Sequence, residues 1–75
     1  MQILKGEILE RENVIKSATM HYKGILEFFI ALVSISNDLN IDIPIWTLRE
    51  EKLLENYNEV LIPLKKNFLL KICTQ

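Results

Sequence analysis

Glycine, proline and cysteine are nearly missing from this chain: two, two and one among 75 residues. The single Cys73 rules out an intrachain disulfide. The single His21, with no Cys–His or His–His spacing around it, offers no structural zinc site. Gly6 and Gly24 cannot build a phosphate-cradling loop, and no nucleophile elbow or zinc-enzyme pattern occurs. The sequence therefore points away from an enzyme and implies neither a cofactor nor a metal. There is no excess of positive charge either: nine Lys+Arg stand against ten Asp+Glu, a net charge of −1 that lowers the case for a nucleic-acid binder. Long apolar runs are also lacking. The charge-free stretch from Phe28 to Asn37 is far short of the roughly 20 residues a membrane span needs, and residues 1–16 carry charges throughout, unlike a secretory signal. A cytoplasmic protein without a membrane span is expected.

What is present is apolar side chains in abundance, 49% of the residues. A chain this short buries only about 60% of the surface its unfolded form exposes, so its own core gives marginal stability. With so few glycines and prolines, long helices fit better than a meander of strands. From Ile3 to Ser36, Leu4, Ile8, Ile15, Ala18, Tyr22, Ile25, Phe29 and Leu32 recur at steps of three, four or seven, which predicts a first helix over about 3–36 with a bend at Gly24. Within it, "FFIALV" at 28–33 is apolar on every side. A buried strand is the competing reading of that segment.

Alternation in "LNIDIPIW" and the restriction Pro44 places on Ile43 predict an extended strap over 37–46. Thr47 followed by Glu50 is a capping box that starts a second helix over about 48–62, with Leu53, Leu54, Tyr57, Val60, Leu61 and Leu64 on one face. Pro63 must kink or end it, and a short helix over about 64–73 follows. The sum is a single all-α domain, a helical hairpin. Two arms make a poor core, so the expectation is a four-helix bundle completed by dimerisation or by a partner.

The stretch "WTLREEKLLENY" resembles the first helix of Myb/SANT-like helix-turn-helix domains, through Trp46, Thr47, Glu50, Glu51, Leu53 and Leu54. The resemblance covers about a dozen residues. It implies two further helices, the last lying in a DNA major groove, and hence an alternative function as a small dimeric transcription regulator with a truncated motif. Only eighteen residues follow Tyr57, with three lysines and no arginine. Among other candidates, Glu51, Glu55 and Glu59 fall at i, i+4 spacing on the expected helix, where they form a solvated acidic face or attract a cation. His21 suits an edge or interface, and Cys73 a small apolar position on the last helix. The segment "PLKKNFLLKICTQ" is weakly basic and amphipathic.

The function expected from these residues is a small non-catalytic protein-interaction module, an accessory subunit or homodimeric adaptor. Its partner would be itself or a larger protein. The expected interface comprises Ile25, Phe28, Phe29, Leu32, Ile35, Trp46, Leu53, Tyr57 and Leu61, because aromatic and large aliphatic side chains carry most interface energy.

Overall fold

Leu4, Gly6 and Ile8 are buried while Lys5, Glu7 and Leu9 between them are only half-buried, a period of two that marks a strand with one covered face. In the computed structural model, which describes residues 2–75, this is β1 (Gln2–Glu10). It pairs antiparallel with β2 (Asn13–Tyr22) through a two-residue turn, Arg11 and Glu12, both with positive φ (49° and 70°). Two successive left-handed residues give the hairpin turn whose twist suits the flanking strands. Two helices follow, α1 (Gly24–Asp38) and α2 (Leu48–Tyr57), then a second antiparallel hairpin of β3 (Glu59–Pro63) and β4 (Phe68–Thr74).

The sheet order is β2-β1-β4-β3, so the first and last strands meet antiparallel at its centre. α1 packs over β1 and β2, and α2 over β3 and β4, both on the same face. Leu4, Ile8, Leu70, Ile72 and Val60 rise from the sheet to meet Phe28, Leu32, Ile35 and Leu54 from the helices, and all are buried. The opposite face is open and mixed. Its rows read Thr19, Lys5, Cys73, Glu59 and Ser17, Glu7, Lys71, Leu61 across the four strands.

The expected all-α hairpin is thus replaced by a two-layer α+β fold. The expected helix over 3–36 is two strands and a helix, and Gly24 (φ 78°) is not a bend inside a helix but the joint where β2 turns into α1. The expected helix over 48–62 ends at Tyr57, and residues 64–73 contain β4 where a short helix was expected. Pro63 ends an edge strand, a place where its missing N–H leaves no central ladder bond unmade. The described residues form no helical bundle, and the sheet supplies a covering surface for the helices where a second hairpin was expected. The helical reading of 28–33, in contrast, holds.

Helix ends follow local chemistry. Thr47 and Glu50 form the capping box, with Thr47 N–H donating to Glu50 Oε1 at 2.7 Å and Arg49 N–H to Thr47 Oγ1 at 3.2 Å. The Thr47 hydroxyl also donates to Glu50 Oε1, and this bond, followed by that from the Thr47 N–H, holds the Glu50 carboxyl below its usual range. α1 closes with Asn40 left-handed (φ 58°), Ile41 N–H donating to Ser36 O at 3.0 Å and Asn40 N–H to Asn37 O at 3.1 Å, a Schellman arrangement. The strap from Asn40 to Trp46 then runs back along α1, because it is tied to Ser36 at one end while the Trp46 ring meets the Phe28 ring, centroids 5.4 Å apart, at the other.

Candidate protein-docking face

α1 is apolar around most of its circumference. Phe28, Ala31, Leu32 and Ile35 point at the sheet and are buried, while Ile25, Leu26, Phe29, Ile30 and Val33 point away and are exposed, Leu26 by 75% and Ile30 by 59%. Polar residues such as Glu27, Ser34 and Asp38 hold only the remaining narrow line. The strap turns Ile41 and Trp46 towards the core and leaves Ile43 and Ile45 outside, and Leu48 opens α2 exposed. These eight large side chains are 38% to 83% exposed. Single exposed apolar side chains are ordinary on a soluble protein, but this many on one helix and the strap and helix start that follow it mark an interaction surface.

The residues expected at an interface are divided by the fold. Ile25 and Phe29 lie on the exposed face. Phe28, Leu32 and Ile35 are core residues covered by this chain itself. Trp46 and Leu53 pack against the core edge, and Trp46 has its indole Nε1 buried without a hydrogen-bond partner among the described residues. Tyr57 is exposed at the end of α2, and Leu61 is exposed on the open sheet face, away from α1. The residues that sequence reasoning missed are Leu26, Ile30, Val33, Ile43, Ile45 and Leu48. The even apolar coverage of α1 carried the signal, but which half would face outward depended on a sheet that had not been read.

Other candidates also move. Glu51 and Glu55 share α2, but Glu59 starts β3 and approaches Lys71 at 3.9 Å, so the three carboxylates form no common face. Among the described residues no three His, Cys, Asp or Glu groups converge on a metal position. His21 lies on β2 next to Ile3 of β1, and Cys73 on β4, half-buried on the open face, where burial and then the nearby Glu7 push its thiol pKa up. Where a Myb-like module would add two helices after Tyr57 the chain forms strands, so the described residues contain no recognition helix there. Among the described residues no helix is long and apolar enough to cross a membrane.

A second feature adjoins the face. At the end where β2 passes into α1, a groove of about 400 Å³ opens between the start of α1 and the end of α2. Its polar lining comes from Gln2, Tyr22, Glu51, Glu55, Asn58 and Thr74, and Ile25 belongs to both groove and face. Tyr22 is 6% exposed, its ring edge-on to Phe28 at 5.5 Å, and burial followed by the charge of Glu51 raises its phenol pKa. Compared with protein-family models, with curated proteins and with solved structures, the chain shows no significant match.

Proposed function

We propose that this chain is a non-catalytic protein-interaction module that works by burying the outer face of α1, with Ile43, Ile45 and Leu48 beside it, against a partner protein. The observation that carries this is the number of large apolar side chains on α1, the strap and the start of α2 that stay exposed outside the buried core. The driving force is the removal of that surface from water, at about 25 cal/mol per Å² less the costs of association. A partner of different sequence fits better than a second copy. Between the flanking Lys23 and Arg49 the chain carries Glu27, Asp38 and Asp42 and no lysine or arginine, so a basic partner segment complements this region where a second copy offers only those two flanking cations.

Phe29 is a poor probe of this face, because its ring packs on Phe28 at 5.3 Å and a charge there would disturb the core. Leu26 and Ile30 are the informative positions. A photo-crosslinking residue at position 30 is expected to give one discrete protein adduct in the producing cells. The Leu26→Asp change should abolish that adduct while thermal stability stays within about 0.5 kcal/mol of the parent, as for other surface substitutions. An adduct that survives Leu26→Asp would overturn the proposal. So would light scattering showing a stable dimer of the purified protein that Leu26→Asp leaves intact.

A further inference from the structure

The groove at the end of this face has a chemistry of its own. Glu51 and Glu55 stand one turn apart on α2, and neither is in an ion pair among the described residues, whose ion pairs are Lys5–Glu7, Arg49–Glu50 and Lys71–Glu59. Side by side they repel by a few tenths of a kcal/mol. Tyr22 is more than nine-tenths buried, lines the same groove, and makes no hydrogen bond through its hydroxyl among the described residues. Asn58 caps the C-terminal end of α2, whose last turn has no basic residue to meet its negative dipole end. Opposing them is the start of α1 at Gly24, worth roughly half a positive charge, with Lys23 next to it in the chain. Two full carboxylates and a helix C-terminus outweigh it.

The walls decide which cation fits. Ile25, Phe28 and Leu54 make one side apolar. A hard metal ion keeps its water and asks for a cage of oxygens, which two carboxylates on one helix do not supply. An ammonium or guanidinium on a hydrocarbon stem matches better: the stem lies on Ile25 and Leu54, and the head donates to Glu51, Glu55 and the Tyr22 hydroxyl beside an aromatic ring. We infer that this groove receives a lysine or arginine side chain of the partner protein whose apolar residues cover α1, so that the partner segment is basic at one end and apolar along the rest. A second copy could supply that group only from Lys23 or Arg49 at the two ends of its docking face, since residues 24–48 contain no basic residue. The inference rests on α1 as the docking face for the identity of the occupant, whereas the groove itself can be tested alone.

The test is a titration of the 15N-labelled protein followed by amide chemical shifts, with N-acetyl-arginine amide and N-acetyl-lysine amide as probes and neutral N-acetyl-norleucine amide as control. Saturable shifts are expected at Gly24, Glu51 and Asn58 with both cations and not with norleucine. Binding should weaken about fivefold or more in the double variant Glu51→Gln, Glu55→Gln, the scale of losing charge-assisted contacts. Tyr22→Phe, which keeps the ring and removes only the hydroxyl, should weaken it to a smaller degree. Leu26→Asp should leave these single-residue probes unaffected, so failure of the docking face and failure of the groove are read separately. A peptide N-acetyl-Arg-Leu-Leu-amide should bind several-fold tighter than the single arginine, because its leucines continue onto Ile25. Absence of saturable shifts, equal binding of norleucine, or indifference to the two glutamate changes would overturn the site. Equal affinity of peptide and single arginine would overturn a partner side chain as the occupant.

Discussion

Gly6 shows how much of this fold one missing side chain decides. A Cβ at that position would lie 2.5 Å from Ile35 Cγ2 and 3.2 Å from Leu39 Cδ1. Both residues are 1% exposed, so neither has free space into which to turn. In register with Gly6 on β2 stands Ala18, another small residue, and together they let α1 settle closely on its half of the sheet. Gly6→Ala is expected to cost about 1–3 kcal/mol through overpacking, read as a lower denaturant midpoint with an unchanged slope. An unaltered midpoint would mean that α1 does not sit on β1 at this depth. The sequence held this clue: a glycine between Leu4 and Ile8 in an alternating stretch marks a close backbone approach. It was obscured because Leu4 and Ile8 are four apart, a spacing that fits a helix turn and two strand periods equally well.

At the scale of elements, legibility tracks the quality of local signals. α2 was readable because Thr47 and Glu50 announce its start through side-chain chemistry that needs no distant partner, and the strap because Pro44 restricts its neighbour. The first hairpin was not, since its turn lacks the Asn-Gly or Asp-Gly signature and places Arg11 and Glu12 in a left-handed conformation that such side chains disfavour. Without that punctuation, Ile8, Ile15 and Tyr22 merge into one helical period. The turn is therefore held by the strands it joins, and it should be improvable: the pair Arg11→Asn, Glu12→Gly is expected to raise stability by about 1 kcal/mol, or several degrees in Tm for a domain of this size. No gain in the melting transition would show that the two residues do not adopt positive φ in solution. At the other hairpin Lys66 (φ 64°) hides its turn in the same way, which is why Leu64 to Ile72 passed for a helix.

For the whole molecule the ordering of strands sets where stability is concentrated. β1 and β4 lie at the centre, paired on both sides, β1 beneath α1 and β4 beneath α2, and they join residues 2–10 to residues 68–74. Each hairpin is local, but this central ladder closes only when nearly the entire chain is in place, so its opening requires global unfolding. β2 and β3 are edges with opposite defences. β3 is five residues long and ends in Pro63, whereas β2 has ten residues, no proline and a single charge, Lys16. Native-state hydrogen exchange is expected to show amides of β1 and β4 at the global limit, and the outward-facing amides of β2 exchanging faster by orders of magnitude. Equal protection along β2 would reveal a second strand covering that edge. The molecule would then associate through its sheet, and the outer face of α1 would no longer be the first surface to account for.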